Sequence, residues 1–239
     1  MPEATPFTLA SDEIHVWGLA LDVPRGRAEQ FHVWLSADER KRAAAFHFER
    51  DRNHFAAARG QLRELLGGYL GRAPGELRFA TGSHGKPRLD GPEGASDLRF
   101  NVSHSHGRGL IAVTRGAEIG VDLEQMRADV DYAGIVASQF SSAEQLAWAA
   151  LPTSRQRDAF FHGWVRKEAY VKARGEGLSH PPSAYTVDLD PDGSGALLAD
   201  TLTPEATRAW TVQAIAAPAG FAAAMAYFGA RRRVIFRAV

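Results

Sequence analysis

Residues 36–39 read Ser-Ala-Asp-Glu, and residues 141–144, which lie 105 positions later, read Ser-Ser-Ala-Glu. Each tetrapeptide has the pattern of a capping box, in which the serine and the glutamate satisfy each other's backbone N–H groups at a helix start. The same shift gives 11 identities when residues 13–68 are aligned with residues 118–173. About four identities are expected by chance, so the alignment indicates an internal duplication.

The segments around the two capping boxes predict the same order of elements in both halves. A strand is expected before each box, at 14–21 and 118–124, and a long helix after it, at 49–70 and 154–174. Further strands are expected at 77–80, 97–102, 109–114, 184–189, 209–216 and 221–228, with loops at 82–96 and 190–205.

This order of elements predicts an α+β fold, because helices packed on one face of a small antiparallel sheet would account for each half. The expected architecture is an intramolecular pseudo-dimer of two similar α+β halves, residues 1–115 and 116–239.

The composition excludes several classes of protein. The chain has 239 residues, 28 basic and 28 acidic residues, and no cysteine. Disulfides, thiol nucleophiles and cysteine-ligated zinc are therefore excluded, and zero net charge argues against nucleic-acid binding. The most apolar stretch, 214–230, is interrupted by Pro218 and Gly220 and is shorter than the about 20 residues of a membrane span. The N-terminus has no secretory signal pattern, so we expect a cytoplasmic protein without a membrane segment.

The halves differ at charged positions of the second half. Asp122 and Glu124 lie two residues apart on a predicted strand, so their carboxylates share one face. Glu168 and Lys172 share one face of a predicted helix. The residues aligned with these four in the first half are Trp17, Leu19, Arg63 and Gly67.

Three converging carboxylates are costly unless a cation neutralises them, and Mg²⁺ prefers such oxygen ligands, which Mn²⁺ also accepts. The alternative interpretation is a solvated cluster in which Glu168 and Lys172 form a surface ion pair.

Residues 99–105 alternate in a strand pattern that carries Ser103 and His104. His104 and His106 share one face, but no third metal ligand accompanies them. Ser103 lacks the Gly-x-Ser-x-Gly context of an acyl nucleophile. A structural or anion-contacting role is therefore favoured for His104 over a role in metal binding.

Basic residues are concentrated in two further places. The chain has 24 arginines and only four lysines, and Lys86 stands in a Gly-Lys-Pro loop, where a lysine suits phosphate binding. Segment 40–63 carries a basic run that includes Arg40, Arg42 and Arg59. Such a run usually marks a solvated helix face, and the alternative is a phosphate grip donated to a site between the halves.

Four motifs, taken in order, resemble those of the 4′-phosphopantetheinyl transferases of the larger, surfactin type. They are Gly85-Lys-Pro87, Phe100-Asn-Val-Ser-His-Ser105, Gly120-Val-Asp-Leu-Glu124 and Trp164-Val-Arg-Lys-Glu-Ala-Tyr-Val-Lys172, the last followed by Gly175-Glu-Gly-Leu178. The resemblance implies a monomeric pseudo-dimer that binds coenzyme A in the cleft between its halves.

The resemblance also implies roles for individual residues. Asp122, Glu124 and Glu168 would hold Mg²⁺, with Mn²⁺ possible, and the implied catalytic residues are Glu168, Lys172 and Glu144, the last near the reacting hydroxyl. The implied coenzyme A contacts are Lys86, Ser103, His104 and Lys172, with Arg40, Arg42 and Arg59 as candidates for its 3′-phosphate. Glu39 stands where the family has a lysine, so the identity of that basic contact stays open.

The implied reaction moves the 4′-phosphopantetheine arm of coenzyme A to a serine of an apo acyl-, peptidyl- or aryl-carrier protein and releases 3′,5′-ADP. Segment 126–140 is expected to help dock the acidic carrier near the cleft. The alternatives are a Mg²⁺-dependent pyrophosphate hydrolase, a coenzyme A-binding module without catalysis, and a purely structural pseudo-dimer. A requirement for an acceptor serine separates the transferase from the hydrolase.

Overall fold

The computed structural model describes residues 7–82 and 85–238. The first six residues, on which part of the prediction about a secretory signal rests, lie outside the described residues. The helices are α1 (Arg25–Trp34), α2 (Ala37–Ala44), α3 (Glu49–Leu70), α4 (Tyr132–Gln139), α5 (Ser142–Ala149), α6 (Thr153–Arg174) and α7 (Ala206–Ala209). The strands are β1 (Glu13–Ala20), β2 (Arg78–Thr81), β3 (Pro87–Asp90), β4 (Leu98–Ser105), β5 (Arg108–Arg115), β6 (Ile119–Gln125), β7 (Tyr185–Val187), β8 (Leu197–Asp200), β9 (Trp210–Ala214), β10 (Phe221–Phe228) and β11 (Arg233–Ala238).

Each half contains a three-stranded antiparallel sheet with the same topology. The first sheet has the order β1-β5-β4, and the second has the order β6-β10-β9. In both, the strand before the capping box pairs with the last strand of the motif. The α+β class and the duplication are therefore confirmed.

The capping boxes form as predicted. Ser36 accepts a hydrogen bond from the backbone N–H of Glu39, and the Glu39 side chain accepts one from the Ser36 N–H. Ser141 and Glu144 make the same reciprocal pair at the start of α5. These bonds involve residues three positions apart, which is why the local sequence predicts them.

The C-terminal strand departs from the expected division of the chain. β11 pairs in parallel with β1, so it completes the first sheet although it follows the second half in sequence. The last strand of the predicted second half, residues 116–239, therefore belongs to the sheet of the first half. This pairing covers the outer edge of β1, and an uncovered edge would present unpaired backbone groups.

Two segments expected to be loops contain short strands. Residues 82–96 include β3, which pairs with β2, and residues 190–205 include β8, which pairs with β7. Each is four residues long, so too few positions show the alternation on which the strand prediction depends.

The long helices correct the alignment of the two halves by one residue. Both α3 and α6 contain 22 residues, and each is followed by a left-handed glycine, Gly71 or Gly175. Their shift is therefore 104, one less than the shift between the two capping serines. The first-half counterparts of Glu168 and Lys172 are consequently Glu64 and Gly68 and not Arg63 and Gly67. A glutamate is present at this position in both halves, so the difference between the halves is confined to Asp122, Glu124 and Lys172.

The two sheets pack against each other through one face, and each covers its other face with its own long helix. The cluster between the sheets contains Ile14, Val16, Leu110, Ala112, Ile119, Val121, Leu123, Ala223, Met225 and Tyr227. Two further clusters fill the space between α3 and the first sheet and between α6 and the second. Face-to-face sheets with this arrangement bury alternate residues of each strand on opposite sides.

The packing of α6 on β6 depends on Gly120. A Cβ atom at this position would clash with the carbonyl oxygen of Ala169 and with the backbone of Ala173. Because those atoms belong to the helix backbone, they cannot move aside as a flexible side chain would. The close approach explains why the strand places a glycine directly before the polar part of its sequence.

Gly120→Ala is expected to lower the free energy of unfolding by about 2–3 kcal/mol, since it forces α6 away from β6. Urea denaturation followed by circular dichroism measures this change. Gly26→Ala is the matched control, because Gly26 is also a described glycine and a Cβ there meets nothing within 4 Å. Equal stability of the two variants would contradict the close approach of α6 to β6.

None of the helices in the described residues combines the length and the apolar character needed to cross a bilayer.

Candidate active site

The seam between the halves lies between β4 and β6, the edge strands of the two sheets. Side chains of β4 act there as hydrogen-bond acceptors in place of a neighbouring strand. Asn101 Oδ1 accepts from Val121 N at 2.9 Å, Ser103 Oγ from Leu123 N at 3.3 Å, and Ser105 Oγ from Gln125 N at 3.3 Å. Alternate residues of β4 thus match alternate N–H groups of β6.

The hydroxyls of the two serines also donate to carboxylates of β6. Ser103 Oγ donates to Asp122 Oδ1 at 2.8 Å, and Ser105 Oγ donates to Glu124 Oε2 at 2.9 Å. A serine hydroxyl has one proton and two acceptor lone pairs. Lys172 Nζ also donates to Ser103 Oγ at 3.2 Å. The bond to Asp122 uses the one proton of this hydroxyl, and the bonds from Leu123 N and Lys172 use its two lone pairs, so none is left for coenzyme A. The geometry argues against the predicted contact of Ser103 with coenzyme A.

Asp122 is the most deeply placed carboxylate of the seam, with 2% of its surface exposed. Its Oδ1 accepts from Ser103 and from Lys172 Nζ, the latter at 2.5 Å. Its Oδ2 is buried and has no hydrogen-bond partner among the described residues. A buried, unpartnered carboxylate oxygen is costly, and a hard cation would satisfy it.

Glu124 and Glu168 lie within electrostatic range of Asp122. Burial and then the charge of Asp122 raise the pKa of Glu124 above its ordinary value. Burial also raises the pKa of Glu168; the charge of Lys172 opposes this increase, and the charges of Asp122 and Glu124 add to it. Because these carboxylates destabilise one another's charged form, the site favours an added positive charge.

The expected convergence of three carboxylates needs correction. Within the described ranges, no group of three or more histidine or acidic side chains has the arrangement of a ready-made metal site. The ammonium of Lys172 stands on Asp122 instead. The residues nevertheless fit a hard divalent cation. Asp122 Oδ2 is unpartnered among the described residues, and the charge of Asp122 raises the pKa of both Glu124 and Glu168, so the three carboxylates lie near one another.

Basic side chains of three other elements lie within electrostatic range of His104. Burial lowers the pKa of His104, and the charges of Lys172, His54 and Arg42 lower it further. These groups come from β4, α6, α3 and α2, so four elements of the fold bring them together. Basic side chains gathered in this way are suited to bind a multiply charged anion.

Lys86 joins the first half to the end of α6. Its Nζ donates to Glu118 Oε2 at 2.9 Å and to the carbonyl oxygen of Ala173 at 3.0 Å. It also lines a cavity that Glu168 and Lys172 line from the other half. The structure therefore brings Lys86 to the predicted site.

Two of the predicted basic contacts are engaged within the first half. The guanidinium of Arg40 donates to the carbonyl oxygen of Leu35. Arg59 donates to Glu39 Oε1 at 2.8 Å and lies over the ring of Phe79. These bonds occupy only part of each guanidinium, which carries five N–H donors, so a contact of Arg40 or Arg59 with the 3′-phosphate stays a prediction.

Glu144 does not have the position that its predicted catalytic role requires. It is 1% exposed, and its carboxylate accepts from Lys167 Nζ at 2.7 and 2.8 Å. The backbone N–H groups of Ser141 and Val187 also donate to it, each at 2.7 Å. Its charge and lone pairs are used inside the second half, so the prediction of a catalytic Glu144 is corrected to a structural role.

The buried position of Lys167 has an energetic cost. Burial lowers its pKa to about 8, although the adjacent carboxylate of Glu144 raises it. The ammonium also donates to the carbonyl oxygen of Tyr185 at 2.6 Å. This ion pair connects α5, α6 and β7 inside the second half.

The sequence reasoning missed three residues at the site. Asn101 and Ser105 share a strand face with Ser103, and their alternation with apolar residues was a signal that this whole face is used. His54 lies within electrostatic range of His104 and contacts Asp22 Oδ1 at 2.7 Å. The sequence carries no local signal for His54, because its neighbours at the site come from other elements.

Comparison with known proteins relates both halves to one family. Residues 118–226 match the family model described as the 4′-phosphopantetheinyl transferase superfamily, and residues 26–115 match that of the 4′-phosphopantetheinyl transferase N-terminal region. The chain is 40% identical over 179 residues to the 4′-phosphopantetheinyl transferase HetI of Nostoc sp., which covers 75% of this chain and 76% of HetI. It is 29% identical over 192 residues to the 4′-phosphopantetheinyl transferase Sfp of Bacillus subtilis, covering 79% and 83%.

A human protein is also similar, over a smaller share of its length. The chain is 26% identical over 168 residues to the L-aminoadipate-semialdehyde dehydrogenase-phosphopantetheinyl transferase of Homo sapiens. The match covers 66% of this chain and 53% of the human protein.

Proposed function

This chain belongs to the 4′-phosphopantetheinyl transferase superfamily, and on that premise we propose that it transfers the 4′-phosphopantetheine arm of coenzyme A to a carrier-protein serine. The acceptor would be an apo acyl-, peptidyl- or aryl-carrier protein, and the second product would be 3′,5′-ADP. The observation that carries the proposal is the juxtaposition of Asp122 and Lys172 beside a cluster of positive groups. It combines a cation site with an anion site at one seam.

The carboxylates would hold a divalent cation, Mg²⁺ or Mn²⁺. The ligands would be Asp122, through its unpartnered Oδ2, together with Glu124 and Glu168. When bound, the cation would supply neutralisation of the charge that develops as the pyrophosphate bond breaks.

The basic residues would bind and orient the donor. Lys172 would stabilise the leaving 3′,5′-ADP, because its ammonium is bonded to Asp122 and also lies within electrostatic range of His104. Lys86 would approach the same donor from the first half, since it lines a cavity with Lys172. Arg42 and His54 would complete the anion site around His104.

The proton of the attacking hydroxyl needs an acceptor within the site. The serine oxygen of the carrier forms a bond to the β-phosphorus, the bond from that phosphorus to the bridging oxygen breaks, and 3′,5′-ADP departs. Glu168 would accept the serine proton, because it lines the same cavity as Lys86 and Lys172 and so would face the bound donor. Glu144 is not proposed for this role, because its carboxylate is bonded to Lys167 inside the second half.

The carrier would dock near the seam, on the surface that α4 contributes. This helix leaves most of its positions exposed or half-buried, and it is the first helix after β6. An acidic carrier would be attracted by the positive groups of the seam. One chain holds both halves of the site, so the proposed active form is the monomer.

The experiment that tests the function is intact-mass measurement of an apo carrier protein incubated with this protein, coenzyme A and Mg²⁺. A gain of one phosphopantetheine on the carrier serine, lost when a chelator is added, is the expected result. Release of 3′,5′-ADP without modification of any carrier would indicate the hydrolase instead. Binding of coenzyme A without either product would indicate a binding module.

Coenzyme A is expected to bind more tightly as the pH falls from about 8 to about 6. Burial and neighbouring cations hold the pKa of His104 below its ordinary value in the free protein, so the ring is neutral near pH 7. Bound phosphates favour the imidazolium and raise that pKa, so the complex takes up a proton. Calorimetric titration across this range, with chelator present, measures the slope.

The His104→Gln variant is the control for the donor's own titration, because its phosphate groups also gain protons in this range. The wild-type slope should exceed that of the variant by about threefold to tenfold in Kd over the range. Parallel slopes for the two proteins would place His104 outside the anion site.

A further inference from the structure

The three polar residues on one face of β4 connect two different kinds of group on β6. Asn101, Ser103 and Ser105 accept hydrogen bonds from the edge N–H groups of β6. The two serines also donate to the carboxylates that project from the same strand. Each serine therefore bonds to one carboxylate of β6 and to the backbone N–H of the next residue of β6.

This arrangement fixes the carboxylates in two ways at once. A carboxylate at the end of a side chain can rotate, whereas a strand held by its own N–H groups cannot slide along its neighbour. The bond from Leu123 N to Ser103 Oγ sets the register, and the bond from Ser103 Oγ to Asp122 sets the rotation. Ser105 does the same for Glu124 through Gln125 N.

The serines and the carboxylates come from different halves of the chain. β4 belongs to the first sheet and β6 to the second, so the orientation of the acidic groups depends on the contact between the sheets. Asn101 continues the same register at a point where β6 carries Gly120 and no carboxylate. The pattern is thus regular along the whole seam.

We propose that Ser103 and Ser105 are positioning residues, through which the first half holds Asp122 and Glu124 in the orientation that a divalent cation requires. The proposal rests on the proposed function, since the cation belongs to that function. It assigns Ser103 to the carboxylate and not to coenzyme A. It also gives Ser105 a role at the site.

Ser105 is the better residue for a test, because its third contact, at 3.0 Å, is with the ring of the adjacent His106, whereas the third contact of Ser103 is with Lys172 of the site itself. Ser105→Ala removes the donor to Glu124 and the acceptor for Gln125 N, and Ser105→Thr retains a hydroxyl. Ser141→Ala is the matched control for general loss of stability. It deletes a buried serine hydroxyl of the second half that bonds to Glu144 N and Thr186, away from both carboxylates.

The first measurement is Mn²⁺ binding, followed by loss of the free-ion signal in electron paramagnetic resonance, with and without coenzyme A. Ser105→Ala should weaken Mn²⁺ binding about tenfold or more, as is typical when a group orienting a metal ligand is lost. Ser105→Thr and Ser141→Ala should bind Mn²⁺ close to the wild-type level. Unchanged binding in Ser105→Ala, or an equal loss in Ser141→Ala, would overturn the proposal.

The second measurement is hydrogen exchange of single backbone amides in the protein without metal. The Gln125 amide should exchange faster in Ser105→Ala, while the Val121 amide, which Asn101 holds, should keep its rate. If the wild-type protein binds no Mn²⁺, the cation of the proposed function is wrong, and this measurement decides the positioning by itself. Equal Gln125 exchange in the wild type and Ser105→Ala would then overturn it.

Discussion

Asp122→Asn is expected to lower kcat/KM for carrier modification by about a thousandfold, which corresponds to about 4 kcal/mol of transition-state stabilisation. The asparagine has the same shape but no charge, so it weakens the hold on both Lys172 and a divalent cation. Asp122 Oδ2 is buried and unpartnered, and no other described carboxylate of the seam bonds directly to Lys172. Quantitative intact-mass spectrometry of the carrier over time measures the rate.

Asp158→Asn is the matched control for this prediction, because Asp158 is a half-exposed aspartate of α6 that pairs with its neighbour Arg157. It should transfer at the wild-type rate. Circular dichroism of both variants checks that the fold is retained. An Asp122→Asn variant with activity within tenfold of the wild type would contradict the assignment of Asp122 to the cation site.

Lys167→Met is expected to lower the free energy of unfolding by about 3–5 kcal/mol, the cost of leaving one member of a buried ion pair without its partner. The methionine fills a similar volume, so the loss is electrostatic more than steric. Glu144 would remain 1% exposed with a negative charge and only backbone N–H donors. Urea denaturation measures the change in stability.

The double variant Lys167→Met with Glu144→Gln separates the charge effect from packing. Removing both charges should cost less than the sum of the two single substitutions, because no uncompensated charge is left. Additive losses would show that the two side chains do not interact. The same variant tests the structural role of Glu144, since a catalytic carboxylate would reduce transfer in Glu144→Gln even where the protein stays folded.

The two capping boxes show which structural features the local sequence can predict. Their hydrogen bonds join residues three positions apart, so the pattern alone predicts where α2 and α5 begin. The further partners of the same glutamates come from distant elements. Glu39 binds Arg63 Nε at 2.9 Å and Glu144 binds Lys167, so both glutamates are drawn into the interior by a long helix.

This repetition explains why the resemblance misplaced one catalytic residue. An acidic position that recurs in both halves at the third residue of a helix is accounted for by capping and by the buried cation beside it. The comparison between the halves would have shown this, because Glu39 occupies the equivalent position in a half that carries no metal ligands.

The local sequence likewise predicts only part of the site. The pattern of Asp122 and Glu124 on one strand face, and of Glu168 and Lys172 on one helix face, was readable from periodicity. That Lys172 stands on Asp122 was not readable, because the two residues lie 50 positions apart. The group of basic side chains near His104 likewise depends on four elements that meet only in the folded chain.

The amino-acid sequence by itself determined the order of elements, the duplication, the starts of the capped helices and the chemical character of the seam. These properties depend on residues one to four positions apart, within the range of backbone periodicity and capping bonds. Only the tertiary structure decided which polar groups are still available. In the folded chain Ser103 donates its proton to Asp122, Glu144 forms an ion pair with Lys167, and β11 joins the first sheet. Those assignments depend on contacts between distant segments, because burial requires each polar group to find its partner wherever the fold brings one.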